Sequence, residues 1–201
     1  SYRHLHDAMS PFDKPVFWLP GNHDEPQNLA KVGGESEHLH KVIRSKHWQI
    51  IMLDSQVEGA VFGQLNTDEL AYLDKTLSEA PELHTLIALH HHPVSMDSDW
   101  MDNIGLKNRH EFLEVLGRHK NAKGVIWGHV HQSCDGLVGG VRLMATPSTC
   151  IQFSPQTTDF SLDDVAPGFR WLELHKDGSI NTGVERLTDV SFEVDRTQTG
   201  Y

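Results

Sequence analysis

Short apolar runs punctuate the chain, and most of them stop at a polar cluster. Val16-Phe17-Trp18-Leu19 ends at Pro20-Gly21, and Trp48-Gln49-Ile50-Ile51-Met52-Leu53 ends at Asp54-Ser55. Thr85-Leu86-Ile87-Ala88-Leu89 runs into His90, and Val125-Ile126-Trp127 runs into Gly128. Each run is too short for a typical helix and lacks a 3.6-residue period, so each predicts a buried strand that feeds a loop. The pattern changes after Asn66. Thr67 is the predicted N-cap, Asp68 and Glu69 occupy the first turn, and Leu70, Leu73 and Leu77 recur at i, i+3 and i+7 before Pro81. That spacing predicts an amphipathic helix. A second helix is predicted over about Arg109–Arg118, with Phe112, Leu113 and Leu116 on one face, after a polar, Asp-rich loop that reaches about Asn103. Val141–Ala145 predicts another strand, and Phe169–Leu174 turning at Asp177-Gly178 into Ile180–Leu187 predicts a hairpin. Strands alternate with helices early and follow one another late, which predicts a mixed α/β sandwich rather than a purely parallel wound sheet. The residues from about Asp189 form a polar tail.

Composition narrows the function. The 201 residues are 38% hydrophobic and carry a formal net charge of -11. The length suits one domain, here residues 1–187 with 188–201 as the tail. The acidic balance speaks against a sequence-independent grip on nucleic acid or an anionic membrane surface, which draws on clustered Lys and Arg. No stretch approaches the roughly 18 apolar residues of a spanning helix, and two cysteines, Cys134 and Cys150, make no disulfide framework. A soluble cytoplasmic protein is the expectation. The count that stands out is 15 histidines.

Three runs end in clusters that can carry chemistry: Gly21-Asn22-His23-Asp24, His90-His91-His92-Pro93 and Gly128-His129-Val130-His131. Loops that follow parallel strands gather at one edge of a sheet, where ligands bind in open α/β folds, so the three are expected to converge. In extended backbone His129 and His131 project to one side. Imidazole nitrogens and an amide oxygen suit Zn, Fe or Mn better than Ca or Mg. Taken singly, Gly-Asn-His-Asp reads equally as a turn and a histidine triplet as a solvated loop. Their joint order after strands favours a site. His4, His6, His38, His40, His47, His84, His110, His119 and His175 read as surface or packing residues. The chain has no Gly-x-Ser-x-Gly elbow and no phosphate-binding P-loop.

These clusters resemble the calcineurin-like metallophosphoesterases, whose ordered motifs are Asp-x-His, Gly-Asp, Gly-Asn-His-Asp/Glu, a His-bearing strand end and Gly-His-x-His. The last three are present. His90-His91-His92-Pro93, Thr146-Pro147-Ser148-Thr149-Cys150-Ile151-Gln152-Phe153 and Ala166-Pro167-Gly168-Phe169-Arg170 look closer to the class III cyclic-nucleotide phosphodiesterases of the Icc/CpdA type, over about Ser1 to Leu187. The resemblance implies a four-layer α/β/β/α sandwich with mixed sheets. It implies hydrolysis of 3′,5′-cyclic nucleotides, cyclic AMP favoured, to 5′-monophosphates with two divalent ions (Fe, Mn or Zn). It places Asn22, His90 and His129 as ligands of one metal and His131 as a ligand of the other, with His91 the alternative to His90. It makes His23 the group that contacts phosphate and protonates the leaving oxygen, with Asp24 orienting its ring. Asn22, His23 and His131 would face the substrate, in a pocket that Thr146–Phe153 helps to shape.

The Asp-x-His and Gly-Asp motifs, which carry the carboxylate that bridges the metals, are not in this sequence. They belong to a strand-helix-strand unit of at least about 30 residues, so the chain reads as a fragment of a longer enzyme, its sandwich lacking the first two strands. Without those carboxylates the expectation is one weakly bound ion or none, and little hydrolysis. An open sheet edge invites a second copy, so a homo-oligomer is a further expectation. Two readings stand beside the leading one: another phosphodiesterase or phosphomonoesterase of the superfamily, and a non-catalytic nucleotide- or metal-binding module.

Overall fold

The structure, a computed structural model, describes residues 1–35, 37–188 and 194–195. Along the chain lie α1 (Tyr2–Met9), α2 (Pro26–Glu35), β1 (Val42–Arg44), β2 (Trp48–Met52), α3 (Thr67–Glu79), β3 (His84–Leu89), α4 (Asp99–Asp102) and α5 (Arg109–Gly117). There follow β4 (Ala122–Trp127), β5 (Cys134–Val138), β6 (Val141–Ala145), β7 (Gln152–Phe153), β8 (Leu162–Asp163), β9 (Gly168–Leu174) and β10 (Ile180–Arg186). One sheet has the order β1-β2-β3-β4-β6-β5. Its four inner strands, β2, β3, β4 and β6, run parallel, while β1 and β5 are antiparallel edges. The architecture is therefore the mixed α/β arrangement expected from the sequence.

The inner strands are rich in apolar residues because both faces are covered, and the buried Gln49 and Thr85 side chains are paired at 3.0 Å. Ile51, Ile87 and Val125 point to one face and meet Leu73, Leu77, Phe112, Val115 and Leu116 of α3 and α5. Leu86, next in sequence to Ile87, points the other way. With Trp48 and Met144 it receives Leu172, Leu174 and Ile180 of the β9-β10 hairpin. Polar ties also seat that hairpin, Arg142 to the Ile180 carbonyl among them. Trp48 Nε1 donates to the His175 carbonyl (2.7 Å), and Arg170 donates to the carbonyls of Ala145 and Cys134 (2.9 Å each).

Three expectations change. Val16–Leu19 is not a strand: the segment is half-buried, and the Trp18 amide bonds to the loop carbonyl of His38 (2.8 Å) instead of entering a ladder. Its apolar side chains serve packing, with the Trp18 ring 4.3 Å from that of His38. The N-cap of α3 is Asn66 rather than Thr67, because the Asn66 side chain accepts the Glu69 amide (2.8 Å). Finally, Cys134–Val138 forms a hairpin with β6 through Gly139-Gly140, both at positive φ. The exposed face of β5 hides the alternation that would have revealed it. Helices α1 and α2, the one-turn helix α4 inside the expected Asp-rich loop, and the short strands β1, β7 and β8 were also unforeseen. Of the polar tail, 189–193 and 196–201 lie outside the described residues; Val194 packs against the main core.

Phe112 is fully buried, so Phe112→Ala is expected to cost about 3–5 kcal/mol in urea titration. Loss of the cap in Asn66→Ala is expected to cost about 1 kcal/mol.

Candidate metal centre

The C-terminal ends of the parallel strands carry the polar clusters to one edge of the sheet. His90–His92 follows β3 directly, and Gly128–His131 follows β4. The turn Gly21–Asp24 reaches the same place from the extended 16–20 segment. It is closed on itself, with the Gly21 amide donating to Asp24 Oδ2 (2.7 Å) and the Asp24 amide to the Gly21 carbonyl (3.1 Å).

Three side chains from these three loops meet. His90 Nε2 lies 2.9 Å from Asn22 Oδ1, and His129 Nδ1 lies 3.1 Å from the same oxygen and 3.2 Å from His90 Nε2. The tautomer of His129 follows from its outer nitrogen. Nε2 faces the Ile104 carbonyl at 3.1 Å and must donate to it, which leaves a bare lone pair on Nδ1. When His90 turns its own lone pair inward, three acceptors face one another with no donor among them. A cation satisfies such a set, and the residues thus fit the divalent ion that the resemblance implies. Among the described residues His90, His91 and His129 form the one His/Cys/Asp/Glu group able to hold an ion, their ligand atoms all within 4.8 Å. No carboxylate belongs to it.

His91 is placed differently from His90. It is wholly buried, its Nε2 donates to the Val61 carbonyl (3.1 Å) and its Nδ1 accepts from the Ser55 hydroxyl (2.8 Å). Both nitrogens are thus held by the protein, while the Nε2 of His90 faces Asn22 and His129. Glycines make room for both rings. A Cβ on Gly21 would stand 2.7 Å from the His90 ring, and one on Gly63 would stand 2.3 Å from that of His91. His92, also buried, lies 3.7 Å from Asp102 and stacks over His129.

His129 and His131 are not in extended backbone. Both take positive φ (62° and 48°), with Val130 fully buried between them. This left-handed geometry is strained for residues other than glycine. It turns the His131 ring onto Phe153, stacked at 4.3 Å, and outside the three-histidine group. The Nδ1 of His131 is buried without a hydrogen-bond partner. His23 is exposed at the rim. Asp24 accepts from Gly21 and from the Tyr2 hydroxyl (2.9 Å). The nine histidines expected to lie outside the site are all exposed or half-buried.

Ser55, Gly63 and Tyr2 escaped sequence reasoning. Ser55 had a signal, because it follows a parallel strand just as the histidine clusters do.

Burial, chiefly, lowers the histidines from 6.5, to about 3 for His90 and to about 4 for His91, His92 and His131; His129 is driven down furthest. The folded protein therefore offers neutral imidazoles. Between pH 6.5 and 4 the unfolded chain binds protons that the folded one refuses, so stability rises with pH there. Urea midpoints are expected to fall steadily from pH 7.5 to pH 5. Gly21→Ala, which drives a methyl into the His90 ring, is expected to weaken Mn²⁺ binding at least tenfold in calorimetry.

Comparison with known proteins places the chain in a family. The family model described as calcineurin-like phosphoesterase matches residues 1–133. The 3′,5′-cyclic adenosine monophosphate phosphodiesterase CpdA of Pseudomonas aeruginosa is 42% identical over 201 residues, covering 100% of this chain and 74% of that protein. The enzyme of the same name from Vibrio vulnificus is 44% identical over 203 residues, with the same coverage. Among solved structures, a dimetal phosphatase from Danio rerio shares the fold, with a TM-score of 0.56 at 17% identity over 85% of this chain and 71% of that one. By motif, fold and family match, the chain belongs to the calcineurin-like phosphoesterases.

Proposed function

We propose that this chain carries the metal-binding and proton-donating side of a site that hydrolyses 3′,5′-cyclic nucleotides, cyclic AMP favoured, to 5′-monophosphates. The observation that carries the reading is the meeting of Asn22 Oδ1, His90 Nε2 and His129 Nδ1 within 3.2 Å. The substrate class rests on whole-chain similarity to relatives named as cyclic AMP phosphodiesterases.

Asn22, His90 and His129 would hold a divalent ion, Fe, Mn or Zn by the chemistry of the donors. Such an ion supplies Lewis acidity at a phosphoryl oxygen and offsets the charge that develops during in-line displacement. His91, locked by Ser55 and Val61, buttresses the His90 and His129 rings at 4.9 Å and 4.7 Å. His23 donates its proton to the ribose 3′ oxygen as the phosphorus–oxygen bond breaks; water adds to phosphorus and the proton it sheds passes to solvent, from which His23 is recharged, giving the 5′-monophosphate. Asp24 fixes the turn that aims Asn22 and His23. A donor set of neutral groups holds one ion weakly, so turnover is slow and needs excess metal. Unpaired cysteines at Cys134 and Cys150 support a reducing, cytoplasmic setting. Among the described residues no helix is long and apolar enough to cross a membrane. Pairing of two copies through a sheet edge, β1 or β5, is a separate part of the proposal, and a monodisperse monomer in light scattering contradicts that pairing alone.

The test is Mn²⁺-dependent hydrolysis of cyclic AMP beside a nitrophenyl phosphate monoester. Formation of 5′-AMP is expected, with kcat lowered about 10²–10⁴-fold in His23→Ala and ion affinity unchanged. Cleavage of the monoester alone would replace this reading with a phosphomonoesterase.

A further inference from the structure

Helix α1 has no fully buried side chain, yet its first residue, the half-buried Tyr2, reaches the turn beside the centre. The Tyr2 hydroxyl donates to Asp24 Oδ1 at 2.9 Å and accepts the Glu25 amide at 2.8 Å. Asp24 is the residue that closes the Gly21–Asp24 turn, through its other carboxylate oxygen and its own amide. Its carbonyl accepts from the Gln56 side chain (2.6 Å). Asn22 and His23 lie between these anchors. One phenol therefore spans the last carboxylate oxygen of the turn and the first amide beyond it, twenty-two residues away in sequence.

We propose that Tyr2 is a positioning residue for the site: its hydroxyl clips α1 onto Asp24 and Glu25 and so holds the Asn22 amide oxygen at the point where His90 and His129 meet it. Several observations separate this role from ordinary packing. Tyr2 makes both contacts through one oxygen atom, and both end on polar groups of the turn that carries Asn22. The second tie of α1, between His6 Nδ1 and His38 Nε2 at 3.0 Å, joins the helix to a different segment, so the helix has an anchor that does not depend on the phenol. Burial and the neighbouring Asp24 carboxylate hold the phenol above its usual range, which keeps it a donor to that carboxylate. Removing only the oxygen leaves Asp24 with one fixed carboxylate oxygen instead of two and frees the Glu25 amide. The turn then pivots about Gly21, and the Asn22 oxygen leaves its 2.9 Å and 3.1 Å contacts for part of the time.

The inference rests on the proposed role of Asn22, and the decisive variant is Tyr2→Phe in the full chain. Hydrogen exchange by mass spectrometry reads the turn directly and needs neither metal nor substrate. Exchange across 22–25 is expected to quicken about tenfold, with β3 and β4 unchanged and α1 still protected through His6. Mn²⁺ affinity by calorimetry is expected to fall three- to tenfold, and in turnover the loss should appear in kcat more than in KM for cyclic AMP. Unchanged exchange at 22–25 would overturn the proposal, as would faster exchange there with unaltered Mn²⁺ affinity. Failure of the wild-type chain to cleave cyclic AMP bears on the substrate assignment alone, because exchange and metal affinity still decide the role of Tyr2.

Discussion

The parallel pairing of β3 with β2 on one side and β4 on the other is the constraint on which the site depends. Parallel strands in register must all end at the same edge, and here Met52 pairs with Ala88 and Leu89 with Trp127. Ser55, His90–His92 and Gly128–His131 are consequently delivered to one place with no choice left to the loops. The energy that fixes this arrangement is apolar and lies elsewhere: Ile51, Ile87 and Val125 against α3 and α5, and Leu86 against β9 and β10. The centre can be polar and strained because the sheet beneath it is neither.

Each histidine at the centre is oriented by the hydrogen bond it makes away from the centre or by the packing beneath its ring. Ile104 takes the outer proton of His129, and Val61 with Ser55 takes both nitrogens of His91. Gly21 admits the ring of His90. Burial then keeps the imidazoles neutral, which is the form that binds metal. The same burial makes the protein sensitive to acid. Among the described residues no carboxylate joins the histidine group, and the proposed donors, an amide and imidazoles, would hold an ion only weakly.

Much of this was legible in the sequence, and the limits have physical causes. Buried parallel strands write themselves as short, largely apolar runs, so β2, β3, β4 and β6 could be read despite Gln49, Lys123 and Arg142 within them, and the residues just after β2, β3 and β4 could be read as a site. Val16–Leu19 has the same composition, but a strand needs a neighbour to pair with, and apolar character alone does not supply one. β5 carries Asp135 and Gly136 between exposed positions and shows no periodicity. His90 follows its apolar run directly, while Asn22 and His129 follow theirs after Pro20-Gly21 and Gly128, and that placement is what made all three candidates. The backbone of His129 and His131 was not foreseen, since their positive φ is imposed by Val130 entering the core. Tyr2 and Gly63 act on the site from distant segments, and only the folded chain brings them near.

The most direct test of the account is an anomalous-scattering map from a crystal of this chain soaked in Mn²⁺. The account predicts a single peak at bonding distance, about 2.0–2.3 Å, from Asn22 Oδ1, His90 Nε2 and His129 Nδ1, with His91 still bonded to Ser55 and Val61. A peak bound to His91 in place of His90, or one lying away from these three loops, would contradict it.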